Sequence, residues 1–241
     1  MRRELVGSAA DKTRCDGHHR RRRKDHAHAR RRRHLLDPVW ARGGERRAYE
    51  LSGKARVIVC TTTHIYPEKT MPCLVSPAQA EIAAALEKSP CICVGAWSEN
   101  GKFGPPELPV GTLARLADYV IVEADGAKRL PLKAHAAHEP VIPPEANQTI
   151  LVVGASGFGR PMYETVHRAP LAAQALGVPE DTVVTPALWA QFLEHEHLHT
   201  RVLVNQADLP QGRELARRLA AGLCCPVCAA ALQKEWIECL S

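Results

Sequence analysis

The chain is expected to fold as an α/β protein with a mainly parallel sheet and helices on both faces. Short β-branched apolar runs recur along it: RVIVCTT (56–62), DYVIVE (118–123), TILVV (149–153) and RVLVN (201–205). Segments with helical spacing separate these runs. Each run is apolar throughout instead of alternating with polar residues, which is the pattern of strands buried on both faces.

Arg56 to Thr62 reads as the first buried strand. Ser76 and Pro77 open a helix through about Lys88, with Ser at the N-cap and Pro in the first turn. Cys91 to Gly95 is a second strand, Val110 to Ala117 a short helix, and Asp118 to Glu123 a third strand. A Pro-rich stretch, Pro131 to Pro144, precedes the fourth strand, Thr149 to Val153. Helices are expected near 168–176, 186–194 and 211–222, a fifth strand at Arg201 to Asn205, and a candidate sixth at Val227 to Leu232. No internal repeat is present.

With 241 residues and 45% apolar content, the chain suffices for one sizeable α/β domain, or a domain plus an extension. No run of about 18 apolar residues exists, so no membrane span or membrane partner is expected. The N-terminus lacks the apolar stretch of a secretory signal. Nine cysteines at irregular spacings do not read as a disulfide framework, so a reducing cytoplasm is the expected location.

Charge divides the chain. Residues 1–47 carry a net +10, against +6 for the whole, so residues 48–241 are mildly acidic. Residues 14–47 hold two four-arginine runs and five histidines with few apolar residues, a composition that cannot bury enough surface to fold. The expected organisation is an Arg/His-rich segment over 1–47, disordered or frameshifted, followed by an α/β nucleotide-binding-like domain over 48–241.

Ligands of parallel sheets bind beyond the carboxyl ends of the strands, and three strand ends carry polar clusters. Glu123 and Asp125 follow DYVIV and point to the same side of an extended chain. An acidic residue there resembles the Walker-B site, which holds Mg²⁺ beside nucleotide phosphates. The two are the candidate catalytic and metal-holding residues. Gly126 allows close approach of a phosphate or a sharp turn, and Lys128, Arg129 and Lys133 could neutralise phosphate charge. The alternative is an ordinary solvated strand-to-loop junction. Asn205 and Asp208 (NQAD) resemble the base-recognition motif Asn-Lys-x-Asp of GTPases, with Gln206 in place of the Lys, or else form a polar turn. Thr61, Thr62, Thr63 and His64 could supply hydroxyls to Mg²⁺ or a phosphate and a ring nitrogen as base. Threonines are also good strand residues in their own right.

Other features carry less. Gly154-x-x-Gly157-x-Gly159 lacks the dinucleotide spacing and is followed by Pro161. One Cys-x-x-Cys (Cys225 to Cys228) and the Cys91, Cys93 pair read as buried thiols and not as zinc half-sites.

The runs CTTTHIYP (60–67), ADYVIVEADGAKRLPLKAHAAHEPVIPP (117–144), VHR (166–168) and LVNQAD (203–208) together resemble the YqeC family over essentially all of 48–241. The resemblance implies a P-loop-type nucleotide-binding fold and a role in maturation of selenium-dependent molybdenum hydroxylases. A purine nucleotide, ATP or GTP, with Mg²⁺ is the implied cofactor. The hydroxylase or its cofactor-maturation proteins are the implied partners.

The chain departs from that pattern where a strand, a Gly-rich loop ending in Gly-Lys-Thr-Thr and a helix belong. It carries DGHHRRRRKDHAH (16–28) there. Lys12 and Thr13 lack the preceding Gly and the preceding strand. Dropping one base before Asp16 permits a reading of Cys15 to His28 as Val-Thr-Val-Thr-Ile-Gly-Gly-Gly-Gly-Lys-Thr-Thr-Leu-Met, a strand and a phosphate loop. As written, phosphate affinity is expected to be poor and the central strand of the sheet missing. Two further readings stand beside the nucleotide-binding one: a non-catalytic scaffold that binds partners, and a nucleic-acid binder using the basic arm. The arm lacks the aromatic or Gly interleaving of RNA-binding segments, so nucleic acid is not an expected partner.

Overall fold

Strands without polar alternation need cover on both faces, and all six expected strands are interior strands of one ten-stranded sheet. The computed structural model describes residues 34–38 by their backbone alone, and residues 53, 55–66, 71–98, 101–234 and 236–241. All lie within the unit Arg32–Ser241.

In chain order the elements are β1 (His34–Pro38), β2 (Val57–Thr61), β3 (Cys73–Val75), α1 (Gln79–Lys88), β4 (Cys91–Trp97), β5 (Phe103–Gly104), α2 (Val110–Leu116), β6 (Tyr119–Glu123), β7 (Leu132–Lys133) and β8 (Thr149–Gly154). There follow α3 (Met162–Thr165), β9 (Val166–His167), α4 (Ala169–Leu176), α5 (Pro186–Glu196), β10 (Arg201–Asn205), α6 (Gly212–Ala220), β11 (Val227–Ala231) and β12 (Trp236–Cys239). The sheet order is β12-β11-β10-β8-β1-β6-β2-β4-β3, with β5 against β4. All pairs are parallel except β11 with β12 and β4 with β5.

Period-two alternation sorts the core. Ile58 and Cys60 of β2, with Val120 and Val122 of β6, pack under α1 and α2. Val57, Val59 and Ile121 face the other way, onto Ile65, Met71 and Phe103. A larger core joins β8, β10 and β11 to α4, α5 and α6 through Trp189, Phe192, Leu193 and Leu219.

Two expectations change. The helix α1 starts at Gln79, and its N-cap is Ala78, whose N–H donates to the Glu81 carboxylate at 2.7 Å. Ser76 stands at φ 45°, outside the cap. The central slot of the sheet is also filled: β1 pairs in parallel with both β6 and β8. The reason is backbone chemistry. A gap between β6 and β8 leaves two rows of N–H and C=O groups without partners, and an extended segment of the chain satisfies both. The other residues expected to be disordered, and the stretch read as frameshifted, lie outside the described residues, as do Lys12 and Lys24.

Strands β2, β3, β4 and β6 lie to one side of β1 and strands β8, β10, β11 and β12 to the other, and β1 and β8 are neighbours. Their carboxyl ends therefore border the crevice where doubly wound sheets place ligands.

Candidate functional site

The carboxyl ends of β8, β10 and β11, with the loop after β6, enclose a cleft of about 840 Å³, a size that suits a small-molecule ligand. Asp125, Arg129, Lys133, His135, Trp189, Asn205, Gln206 and Asp208 are among its lining residues. Asp125 of EADG and Asn205, Gln206 and Asp208 of NQAD, some eighty residues apart in sequence, thus line one cleft, whereas Glu123, Gly126 and Lys128 are not among its lining residues. Thr61, Thr62, Thr63 and His64 are not among the lining residues.

The loop after β6 is held by pairing with a distant segment. Leu132 and Lys133 form a parallel ladder with Val166 and His167, and Pro131 accepts the Gly154 N–H at 2.8 Å. The blocks RLPLK and VHR are therefore one structural unit. Its tight turn falls on Lys128 and Arg129, at φ 48° and 65°. Gly126 does not make that turn. It is exposed, nothing stands within 4 Å of where its Cβ would be, and its carbonyl accepts from Lys133 Nζ at 2.9 Å.

In the cleft wall, and running on from it, acids and bases alternate in one chain: Glu196, His135, Asp125, Lys133, Glu139, Arg168. His135 Nδ1 lies 2.8 Å from Glu196, and its Nε2 3.1 Å from Asp125 Oδ2. Lys133 Nζ donates to Asp125 Oδ1 and, at 2.8 Å, to Glu139. Arg168 clasps Glu139 with two nitrogens. The side chains of Asp125, Lys133 and His135 are 3–4% exposed. Burial pulls the His135 imidazolium down, but its bonds to Asp125 and Glu196 outweigh this and hold it at about 9. It is charged at neutral pH, so three acids balance three bases. Burial opposes ionisation of Glu139, yet Lys133 and Arg168 bring it to about 2. Burial first, and then the charges of Lys133, Arg168 and Lys128, keep His167 low.

Glu123 is different. It is 6% exposed, and burial, with Asp125 beside it, pushes it up to about 8. Its Oε2 has no hydrogen-bond partner among the described residues. The threonines brace its backbone: the Thr61 hydroxyl and the Thr62 N–H donate to the Glu123 carbonyl at 3.0 and 2.8 Å, and the Thr62 hydroxyl donates to the Val141 carbonyl at 2.7 Å. His64 is exposed beside Gly104.

The residues present do not fit a Mg²⁺ site. Both Asp125 oxygens are taken by cations, and burial pushes Glu123 up toward its neutral form, leaving one orphaned oxygen. No group of three or more metal-ligating side chains exists among the described residues. We therefore assign no step to a metal ion.

At the other wall, Asn205 Oδ1 accepts the Leu232 N–H at 3.1 Å. Gln206, at φ 63°, accepts from the Ser156 hydroxyl at 2.7 Å. Asp208 is held low by its hydrogen bond from Lys234 at 2.9 Å and stands at the surface. Trp189 Nε1 is buried with no acceptor among the described residues. His135, Glu139, Arg168, Trp189 and Glu196 were not singled out from the sequence. The runs KAHAAHEP (133–140) and VHR (166–168) within the resemblance were the available signal for three of these positions, His135, Glu139 and Arg168.

No helix of the described residues is long and apolar enough to cross a membrane. No solved structure matches the chain. The uncharacterized protein YqeC of Escherichia coli (strain K12) is 32% identical over 142 residues, 56% of this chain and 55% of that protein. The chain thus aligns with about half the length of this curated relative. The family model for YqeC protein matches residues 46–170, just over half of the chain and including the whole loop after β6. On that match, the chain belongs to the YqeC family.

Proposed function

We propose that the cleft takes a purine nucleotide, and that the protein serves as an accessory factor in maturation of selenium-dependent molybdenum hydroxylases. One observation carries the nucleotide reading: the cleft lies at the carboxyl edge of a parallel sheet and is lined by Asp125 of EADG together with Asn205, Gln206 and Asp208 of NQAD. Arg129, exposed at the loop turn, is placed to meet phosphate oxygens. Asp208 on the opposite wall offers a carboxylate to the donor edge of a purine, with Lys234 as its resting partner. The Trp189 N–H is a spare donor in the wall. The maturation role is the one that the resemblance read from the sequence implies.

Titration calorimetry of the full chain with ATP and with GTP tests the reading. Saturable binding of either, weakened at least about tenfold by Arg129→Ala, supports it, since a charged contact is worth about 1.5–3 kcal/mol. Absence of binding to both sinks it.

A specific observation favours a second reading. Asn205, Gln206 and Asp208 are already engaged within the protein, which is how a non-catalytic scaffold would keep them. That reading expects capture of hydroxylase or cofactor-insertion proteins at unchanged strength with and without nucleotide.

A further inference from the structure

β12 is the edge strand of the sheet and pairs antiparallel with β11, placing Cys228 directly opposite Cys239. The Leu240 N–H donates to Val227 at 2.8 Å. Residues 227 and 240 are thus a hydrogen-bonded pair, and the next pair, Cys228 with Cys239, is a non-hydrogen-bonded one. Such pairs bring their Cα atoms to about 4.5 Å, inside the range of about 4.4–6.8 Å that a disulfide spans. The two sulfurs stand 3.3 Å apart. Cys239 is exposed and Cys228 half-buried.

We propose that Cys228 and Cys239 form a dithiol site that reacts with low-molecular-weight disulfides and closes to an intramolecular cross-strand disulfide. The exposed Cys239 thiolate attacks one sulfur of the external disulfide, forming a mixed disulfide and releasing one thiol. Cys228 then gives up its proton and attacks the Cys239 sulfur, releasing the second thiol. Two protein thiols are oxidised and one external disulfide is reduced to two thiols. Burial, and then Cys239, hold the Cys228 thiol at about 11, so the first attack belongs to Cys239. The loop this bond closes contains Ala231, Leu232 and Gln233, which line the cleft, and Lys234, which pairs with Asp208. The site does not depend on the nucleotide reading.

The test uses the full chain, reduced and then equilibrated with oxidised glutathione. Remaining thiols are trapped with N-ethylmaleimide, and a non-reducing tryptic digest is read by mass spectrometry. Trypsin cuts after Arg218 and Lys234, so the disulfide joins peptide 219–234 to peptide 235–241. The linked pair is expected, and is expected to persist in the Cys224→Ser/Cys225→Ser double variant. In Cys228→Ser, Cys239 should instead accumulate a glutathione adduct at least about tenfold above the parent, because the neighbouring thiol's high effective concentration is gone. A parent protein that keeps glutathione on Cys239 without forming the link overturns the proposal. So does a link lost in the double variant.

Discussion

Lys133 Nζ donates to Asp125 Oδ1 with both side chains 4% exposed, and each of these residues also holds a second partner of opposite charge. The pair is the middle link of the six-residue chain in the cleft wall. Removing one member strands charge, whereas removing both leaves Glu196 with His135 and Glu139 with Arg168, each still balanced. Lys133→Met is therefore expected to destabilise the protein by about 3–5 kcal/mol. The double variant Asp125→Leu/Lys133→Met is expected to recover most of that loss. Urea unfolding of the three proteins checks this; equal loss in the single and double variants would refute the alternation.

His135 sets a pH dependence. Its folded value, about 9, lies above its ordinary value of 6.5. A raised folded value means that the stabilisation is complete below 6.5 and fades as pH rises through 9. Glu123, raised from 4.5 to about 8, works in the same direction over the interval between those values. Stability should fall from pH 6.5 to pH 9 by on the order of 4 kcal/mol, read as a drop in melting temperature. His135→Asn should flatten the upper part of that curve. An imidazole resonance of His135 titrating near 6.5 would contradict the account.

Glu139 acts at the other end. Lys133 and Arg168 lower it from 4.5 to about 2. Its contribution is present above 4.5 and disappears as pH falls through 2. Arg168→Ala should shift acid unfolding to higher pH, read by circular dichroism against pH. An unmoved acid limb would mean that the Arg168 contact is inert.

Gly154 ends β8 under the loop. A Cβ there would stand 2.7 Å from Pro131 Cβ and 2.9 Å from Gln206 Oε1. Gly154→Ala is expected to cost about 1–3 kcal/mol through overpacking. Gly126→Ala, with nothing within 4 Å of the added carbon, is expected to be nearly silent. Denaturant midpoints of the two variants separate close packing at Gly154 from a general intolerance of the loop.

The interior strands were legible because burial on both faces writes itself as an unbroken apolar run, and all six occupy the interior of the sheet. The edge strands β3 and β12 and the two-residue ladder of β7 with β9 were not legible. Segments this short carry no period, and their partners are set by tertiary position. HLLDP at β1 gave no signal because its place comes from the vacancy between β6 and β8, not from its own composition. Glu123 and Asp125 were rightly found at one strand end, but not their environments. The cations that occupy Asp125 are Lys133, eight residues on, and His135, whose other partner Glu196 is 61 residues away. Spacing along a chain does not encode such a closure. Thr61 and Thr62 were read as hydroxyls for a ligand, and they serve the Glu123 carbonyl.

Photoaffinity labelling with an azido-purine nucleotide, followed by peptide mapping, locates the nucleotide on the chain. Labelling is expected to be confined to the loop after β6 and to residues around 205–209, suppressed by excess unmodified nucleotide and reduced about tenfold in Arg129→Ala. Labelling elsewhere on the chain, or labelling that unmodified nucleotide fails to suppress, would contradict it.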